Sequence, residues 1–391
     1  MVAINCYEFE MGKISGSFTF MRFQDRFIPF SSLRYSTQAF IDFCLPECSP
    51  KKNYALIGPG VSQSLDQPVN LREAHGFQVG GVSMGPGKVN PPHLHFTCEV
   101  FICTKGTWQI MWGFNPDIKT IEIEAGDIVA IPTWIYRGFK NVGNEDGFMF
   151  TALGRDDTGG ILWGPDTIDA AKRHGVYLTK AHRIIDTRQG IEPPSDADLF
   201  EPMTRSEIAA LRDWSVEQMQ ERCIAFEKLH WTTEGLLDSR LPNCGGAIAP
   251  VIGYGMCEKR DYLPRPMNPI GLSMEWIKVP PGGGISRHRI ASKQVLIVFQ
   301  GSLTLRLGEG ESEEYRLIGT DDGWDVFSIP ANTWRELRAS TEGELIVLSL
   351  LASDDRKFID WDQSTVTEAA ALGLIRDADG YIAHQRFVGR A

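Results

Sequence analysis

The sequence predicts an all-β protein that consists of two tandem barrels joined by a helical linker. Three observations support this prediction: the chain repeats itself, both copies contain short β-branched and aromatic runs, and glycines and prolines interrupt these runs. The chain has 391 residues, which is long for one ordinary domain and comfortable for two. Each half is long enough to bury a core without the help of disulfides.

The internal repeat is visible when MGPGKVNPPHLHFTCEVFICTKGTWQIMWG is aligned with VPPGGGISRHRIASKQVLIVFQGSLTLRLG. Identical residues recur at an offset of 195 and, after three residues inserted in the second copy, at an offset of 198. So many matches on two constant offsets indicate a duplicated domain. The matched pairs include Pro86 and Pro281, Gly87 and Gly282, His93 and His288, Gly106 and Gly301, Gly113 and Gly308, Asp127 and Asp325, Pro132 and Pro330, Arg137 and Arg335, Asp156 and Asp354, Trp163 and Trp361, and Gly175 and Gly373.

Strand-like runs fill each copy. In the first copy these are EVFICT, TWQIMW, TIEIEA, DIVAIP and FMFTAL, which have the length and residue types of strands. Glycine and proline between them mark the turns. This rhythm is typical of a sandwich or a small barrel.

A polar segment separates the two copies. The stretch RQGIEPPSDADLFEP is rich in proline and acidic residues and predicts a surface linker. Thr204 and Glu207 then have the spacing of a capping box. We predict domains at 1–190 and 241–391, with a linker and one amphipathic helix at 191–240. The apolar stripe of that helix consists of Ile208, Leu211, Met219, Cys223 and Phe226.

Composition and charge exclude several functional classes. With 42% hydrophobic and 23% charged residues the chain is an ordinary globular protein, and its net charge of -11 argues against a nucleic-acid partner. No run approaches 18 apolar residues, and MVAINCYEFEMGKISG lacks a basic stretch followed by an apolar one. We therefore expect neither a membrane span nor a signal peptide. The eight cysteines, Cys6 to Cys257, lack disulfide-framework spacing, which favours free thiols in the cytoplasm.

The segment PPHLHFTCEVF places two histidines and a glutamate close together. In an unbulged strand, residues two apart share a face, so His93, His95, Thr97 and Glu99 would point the same way. Two imidazoles and one carboxylate on a concave face are ligands for a divalent metal, as in the two-histidine, one-carboxylate triad of non-haem iron. The segment therefore predicts a metal site at His93, His95 and Glu99.

The wider spacing of this segment resembles a known family. The pattern G-x5-H-x-H-x3-E-x6-G, from Gly87 to Gly106, resembles the first motif of the cupin superfamily, and GDIVAIPTWIYRGFKN resembles the second. With its duplication the chain resembles a bicupin. The resemblance implies two double-stranded β-helix (jelly-roll) barrels and a homo-oligomer. It also implies a metal held by both histidines of motif one, its glutamate and a histidine of motif two.

The chain departs from the cupin pattern at Arg137, which stands where motif two has its histidine. A guanidinium has no lone pair for a metal, so three ligands would remain, with open positions for substrate and oxygen. Alternatively, Arg137 forms a bidentate ion pair with Glu99 and takes the place of the metal. In a third interpretation Arg137 is a substrate-binding or catalytic residue that clamps a substrate carboxylate.

The second copy has lost most of the ligand set. Its equivalent residues are His288, Ile290, Gln294 and Arg335. Isoleucine cannot bind a metal, and glutamine is a poor ligand for transition metals. We predict that the second barrel is degenerate and structural.

Strand parity predicts the wall of a pocket in the first barrel. The candidates continue the inward face of Glu99, alternate on the next strand, or flank Arg137. Most interior residues of a barrel are core, yet an aromatic mouth would suit a planar substrate. Besides Arg137, the predicted substrate contacts are Phe101, Cys103, Trp108, Trp112 and Tyr136.

A metal-type first barrel followed by a degenerate second one resembles the gentisate and hydroxynaphthoate ring-cleaving dioxygenases. This resemblance implies a mononuclear non-haem iron(II) dioxygenase that takes a small carboxylic acid, aromatic acids first, and O2. Those enzymes use three histidines, whereas this chain offers two and a glutamate. Two alternatives remain. One is a non-redox cupin enzyme, an isomerase, decarboxylase or lyase with zinc, manganese or nickel. The other is a metal-free protein that binds a small acid, with Arg137 and Glu99 paired.

Overall fold

The computed structural model describes residues 21–263 and 270–388. Most elements within these ranges are strands, and the helices are short. The helices are α1 (Pro165–Arg173), α2 (Arg205–Ala209), α3 (Val216–Gln220) and α4 (Gln363–Ala371). The strands of the first copy and the linker are β1 (Phe27–Ile28), β2 (Tyr35–Ser36), β3 (Lys51–Ile57), β4 (Val69–Leu71), β5 (Phe77–Met84), β6 (Val89–His95), β7 (Glu99–Lys105), β8 (Trp108–Trp112), β9 (Lys119–Ile123), β10 (Ile128–Ile131), β11 (Arg137–Asn141), β12 (Gly147–Gly154), β13 (Ile161–Trp163), β14 (Val176–Leu178), β15 (Ile184–Asp186) and β16 (Cys223–Ile224). The strands of the second copy are β17 (Ala247–Ile252), β18 (Leu272–Val279), β19 (Gly284–Ile290), β20 (Gln294–Leu307), β21 (Glu313–Thr320), β22 (Gly323–Trp324), β23 (Val326–Ile329), β24 (Arg335–Ala339), β25 (Leu345–Ala352), β26 (Ile359–Trp361), β27 (Leu374–Arg376) and β28 (Ile382–His384).

Each copy forms one barrel. In the first, the sheet β16-β10-β7-β12-β5-β3-β2 faces the sheet β13-β6-β11-β8-β9, and apolar side chains from both fill the space between them. In the second, the long strand β20 passes from one face to the other, so its strands join into one sheet, β17-β18-β25-β20-β24-β19-β26 with side pairings. Helices α1 and α4 follow the last barrel strands at equivalent places. The predicted all-β fold of two tandem jelly-roll barrels is confirmed.

An apolar interface joins the two barrels face to face. Side chains of β5, β7, β10 and β12 meet side chains of β18, β20, β23 and β25 in one buried cluster. Phe148 and Trp324, for example, lie 5.4 Å apart between ring centroids. These sheet faces are therefore covered within one chain, because each barrel supplies the apolar surface that buries the other.

Each copy begins with a short segment, here called its arm, that pairs with the barrel of the other copy. Strand β1, from the start of the first copy, pairs with β23 of the second barrel, and β16, from the linker, pairs with β10 of the first barrel. The strand pairing thus crosses both predicted domain limits, at 190 and at 240, and these limits stay a prediction. The segments RFIPFSSL and RCIAFEKL share Arg, Ile, Phe and Leu at one spacing. The repeat therefore begins at the arms, upstream of the alignment that first indicated it.

An aspartate holds each arm in place. The backbone N–H of Phe30 donates to Asp325 at 3.0 Å, and that of Phe226 donates to Asp127 at 2.9 Å. Each carboxylate also accepts a backbone N–H of its own barrel, from Ile318 or from Glu124. Bonds between amides and ionised acceptors are stronger than neutral ones. The Asp127 and Asp325 pair of the sequence repeat is therefore explained by arm docking.

Asp325→Ala should release the first arm. We expect the free energy of unfolding to fall by about 2 kcal/mol, because two hydrogen bonds to a charged acceptor are lost. We also expect trypsin to cut faster after Arg26, which is buried in the docked arm. Urea unfolding and timed digestion measure both effects, with the exposed Asp321→Ala as control. An unchanged digestion rate would show that the strand pairing alone holds the arm.

The prediction of one amphipathic helix in the linker is wrong. Thr204 and Glu207 do form the expected capping box, but α2 ends at Ala209. A second capping box, between Ser215 and Gln218, starts α3. Because side chains that cap a new helix compete with continuation of the old one, the chain restarts there. The last two residues of the predicted stripe lie in β16 and in a 3-10 turn. The segment before α2 is mostly exposed, as expected of a linker.

Within the described ranges, none of the helices combines the length and apolar character that crossing a bilayer requires. The seven cysteines in these ranges are free thiols. Cys6 and the segment used for the signal-peptide expectation lie outside the described residues.

Candidate metal centre

Two strands bring the predicted triad together. Strand β6 carries His93 and His95 on one side, as period two predicts, and ends at His95. The condition of an unbulged strand up to Glu99 is not met, because residues 96–98 form a turn and Glu99 begins β7 in the facing sheet. The three ligand atoms nevertheless lie within 4.8 Å of one another. Among the described residues this is the only such cluster of three histidine, cysteine or acidic side chains.

Both imidazoles of the triad are buried, and burial favours their neutral form. His93 Nδ1 lies 2.9 Å from the carbonyl oxygen of Pro91, and His95 Nδ1 lies 3.3 Å from that of Gly160. Burial, and then the nearby charge of Arg137, hold the pKa of both rings well below the usual value. Neutral imidazoles are the form that binds metals, and a backbone carbonyl on the other ring nitrogen is a common support for a metal ligand. The donor set therefore fits a divalent metal.

The guanidinium of Arg137 supports the carboxylate of the triad. Arg137 is fully buried and begins β11, opposite His93. Its Nε donates to Glu99 Oε2 at 3.1 Å, and its Nη1 donates to the carbonyl oxygen of Ile135 at 3.3 Å. The predicted bidentate pair is thus a single hydrogen bond, and Nη2 is buried without a partner. Burial raises the pKa of the Glu99 carboxyl, whereas the Arg137 charge lowers it.

The second barrel keeps the same scaffold with different side chains. His288 lies opposite Arg335, and Arg335 Nη1 donates to Gln294 Oε1 at 2.8 Å. This pair occupies the place of Arg137 and Glu99, while the buried side chain of Ile290 stands where His95 does. A neutral amide oxygen is therefore enough to pair with the buried arginine. The carboxylate of the first copy adds the charge that a metal ligand needs.

A cavity of about 80 Å³ adjoins all three triad residues. Gly80 lines this cavity and has no room for a side chain, because a Cβ there would lie 2.9 Å from Thr151 Oγ1. The equivalent residue of the second copy is Glu275, which pairs with Ser349 as Gly80 pairs with Thr151. The Glu275 carboxylate accepts the backbone N–H of Met256 at 2.8 Å. Glycine thus lines the cavity of the first barrel at the place where the second barrel has a buried glutamate.

The other predicted site residues lie elsewhere in the first barrel. Neither Arg137 nor the five predicted substrate contacts belong to the residues that line the cavity. Their role in substrate binding stays a prediction, and the contacts that the structure gives them are those of a packed core. The apolar core includes Phe101, Cys103, Trp108 and Trp112, while Tyr136 packs against Phe114.

Sequence reasoning missed two features of the site, Gly80 and Asn90, which both line the cavity. The pair of glycines at 80–81 inside a strand signals a close approach or an open space. Asn90 gives no such signal, since its partners come from strand β3 and from the ring of His93. It could be found only by comparing the copies, because Ile285 takes its place in the second.

Comparison with known proteins agrees with this architecture. The family model described as Cupin domain matches residues 81–153, which include the triad and Arg137. The germin-like protein subfamily 1 member 4 of Arabidopsis thaliana is 26% identical over 121 residues, 28% of this chain and 52% of that protein. The chain thus spans about half the length of the curated relative that it matches.

Solved structures match over most of the chain. The oxalate decarboxylase of Lactobacillus farciminis, solved as a formate complex, has a TM-score of 0.52 at 11% identity and covers 87% of this chain and 89% of its own. The vicilin of tomato, Solanum lycopersicum, has a TM-score of 0.51 at 12% identity, with 86% and 87% covered. At such identities the likeness establishes the fold alone. That fold is two tandem cupin barrels.

Proposed function

We propose that the first barrel of this bicupin is the site of a mononuclear metal enzyme that acts on a small carboxylic acid. The observation that carries the proposal is the meeting of the His93, His95 and Glu99 ligand atoms within 4.8 Å beside a cavity. Iron(II) is the first candidate, because two histidines and one carboxylate with open positions form the ligand set of non-haem iron oxygenases. Zinc, manganese and nickel are the other candidates.

Each residue of the site has a distinct part in this proposal. The metal would supply Lewis-acid polarisation and open positions for substrate and O2. Gly160 orients the ring of His95 through its carbonyl oxygen, and Arg137 orients the Glu99 carboxylate through one hydrogen bond. Because Arg137 does not line the cavity, it acts on the reaction through Glu99 and is a positioning residue. An acid bound in the cavity would displace water from the triad, which would strengthen its electrostatic contacts there.

The finer part of the proposal is the reaction. We infer a dioxygenase of small acids, with aromatic acids as the first substrates to screen and O2 as co-substrate. The two-histidine, one-carboxylate donor set supports this choice, since it leaves adjacent positions open. A homo-oligomer and a cytoplasmic location are further expectations. An oligomer would have to use other surfaces than the sheet faces that pair between the two barrels.

A second candidate function is metal-free binding of a small acid. The hydrogen bond from Arg137 to Glu99 Oε2 favours it, because it occupies one oxygen of the carboxylate ligand. In this function Arg137 supplies the positive charge that a metal would otherwise bring. A non-redox metal enzyme would use the same triad as the dioxygenase. The identity of the bound metal distinguishes these two reactions.

The metal content of untagged protein tests the proposal. Wild type and His288→Ala should carry one metal ion per chain by mass spectrometry, whereas His93→Ala/His95→Ala should carry none. His288→Ala is the matched control, since it removes the equivalent buried imidazole of the second barrel. Bound iron would direct a screen of aromatic acids for oxygen uptake, and bound zinc or manganese would direct a search for non-redox reactions. If the wild-type protein cannot be loaded with iron(II) under anaerobic conditions, metal-free binding of a small acid remains as the function.

A further inference from the structure

A buried chain of polar groups ends at the first triad residue. Asp42 and Lys51 are 0% and 3% exposed, and Lys51 Nζ donates to Asp42 Oδ2 at 2.5 Å. Lys51 also donates to Asn90 Oδ1. The amide nitrogen of Asn90, Nδ2, lies 3.0 Å from His93 Nδ1. A fully buried ion pair therefore contacts the ring of His93 through one asparagine.

Lys51 fixes the orientation of the Asn90 amide. An ammonium group only donates hydrogen bonds, so the amide oxygen of Asn90 faces Lys51 and the NH2 group faces the ring. That NH2 group can only donate, and it requires a lone pair on His93 Nδ1. The carbonyl oxygen of Pro91, 2.9 Å from the same nitrogen, can only accept and requires a proton there. The two neighbours of Nδ1 thus demand opposite tautomers of His93.

Burial decides between the two neighbours. Asn90 is 4% exposed, whereas Pro91 is half-buried. A buried donor without an acceptor is costlier than a carbonyl without a donor, above all one that water can reach. We propose that Asn90 holds His93 with its proton on Nε2 in the metal-free protein, and that metal binding moves the ring proton to Nδ1, where Pro91 accepts it. The metal half of this inference rests on the proposed function, and the tautomer of the free protein does not.

The second barrel lacks the lysine and the asparagine of this chain, and the buried Asp238 at the position of Asp42 accepts the backbone N–H of Ser286 instead. Ile285 stands at the position of Asn90 and Gly246 at that of Lys51, and a Cβ on Gly246 would lie 3.5 Å from Ile285 Cγ1. His288 Nδ1 lies 2.7 Å from the carbonyl oxygen of Ser286, and its Nε2 is buried without a partner. His288 should therefore carry its proton on Nδ1. The polar chain occurs in the copy that has the triad, and His288 is an internal reference for His93.

Asn90 is accordingly a positioning residue that weakens the resting affinity of the site for metal. A carboxylate at this position would still accept a hydrogen bond from Lys51 and would also accept one from His93 Nδ1–H. Carboxylates behind metal-binding histidines favour the metal-ready tautomer, and changes in such partners alter metal affinity by roughly 10- to 100-fold. Asn90→Asp should therefore bind Zn²⁺ about tenfold more tightly than wild type.

Long-range proton–nitrogen NMR of protein labelled with ¹⁵N-histidine tests the inference directly. In metal-free wild type we expect the proton of His93 on Nε2 and that of His288 on Nδ1, with assignments from His93→Gln and His288→Gln. Adding Zn²⁺ should move the His93 proton to Nδ1. In Asn90→Asp that proton should already be on Nδ1 without metal. Asn53→Asp is the control, because it places the same charge in the cavity wall without touching the ring.

Several outcomes would overturn the assignment. One is a His93 proton on Nδ1 in metal-free wild type, and another is an unchanged tautomer in Asn90→Asp. If Asn90→Asp does not fold, Asp42→Asn/Lys51→Met serves as the second variant, since it frees the Asn90 amide to turn its oxygen towards Nδ1–H. That variant should have the proton on Nδ1, and a proton on Nε2 would refute the role of Lys51. If the tautomers are as expected but Zn²⁺ does not bind, the metal site is refuted. The role of Asn90 in fixing the tautomer of His93 is then supported.

Discussion

Replacing Glu99 by leucine should lower the free energy of unfolding by about 3–5 kcal/mol. The reason is the fully buried guanidinium of Arg137, which would lose the carboxylate that it pairs with. Breaking a buried ion pair by removing one partner is strongly destabilising, because the other charge stays uncompensated in a medium of low dielectric. The carboxylate of Glu99 thus serves the stability of the barrel as well as the proposed metal.

Glu99→Gln is the matched variant for this experiment. It copies the second barrel, where Gln294 accepts from Arg335 at 2.8 Å, so we expect a loss of only about 1 kcal/mol. Urea unfolding of metal-free protein at pH 7 measures both values, and mass spectrometry should find that both variants have lost the metal. Equal stability of the leucine and glutamine variants would mean that the buried guanidinium finds another acceptor.

Glu275→Gln should stabilise the protein by about 3 kcal/mol at pH 8 and leave it nearly unchanged at pH 4.5. Burial raises the pKa of the Glu275 carboxyl from 4.5 to about 7, against the hydrogen bonds from Met256 and Ser349. The folded state therefore binds an extra proton between these values. Its contribution to stability is complete below pH 4.5 and is lost as the pH rises to about 7, at about 1.4 kcal/mol per pH unit.

Urea unfolding across pH 4.5 to 8 measures this effect. The wild-type and Glu275→Gln curves should coincide at the acidic end and separate towards pH 8, because the amide has no proton to lose. The exposed Glu311→Gln is the control and should follow wild type throughout. Parallel curves for wild type and Glu275→Gln would mean that the buried carboxyl is ionised in the folded protein over this whole range.

Local patterns predicted the fold and the residues of the triad. The alternation of side chains along a strand predicted that His93 and His95 share one side, and the internal repeat predicted two barrels. Both signals depend only on neighbouring residues or on constant offsets in the sequence. Glu99 reaches the cluster from the start of β7 and not from a continuation of β6. The turn at 96–98 contains no glycine or proline, so no local signal in the sequence marks the end of β6.

Such local patterns could not predict contacts between segments that are distant in the sequence. The Lys51–Asn90 contact spans 39 residues, and the one between Phe30 and Asp325 spans 295. Parity predicted that Trp108 and Trp112 point inwards, and both are buried. Parity alone cannot tell a barrel core from a cavity wall, because both lie on the same face of a strand. That distinction depends on side-chain volumes on other strands, above all at Gly80.

The arm of the first copy cannot pair until the ribosome has synthesised its partner strand in the second copy. Phe27 pairs with Phe327, so the arm made first has its partner strand only after roughly 300 further residues, about 15–60 s of translation. During that interval the nascent first barrel exposes the apolar face that the second barrel later covers. Chaperone contact on the ribosome is therefore expected to last until the second copy emerges. A ribosome stalled just after the first barrel should present a chain that aggregates on release.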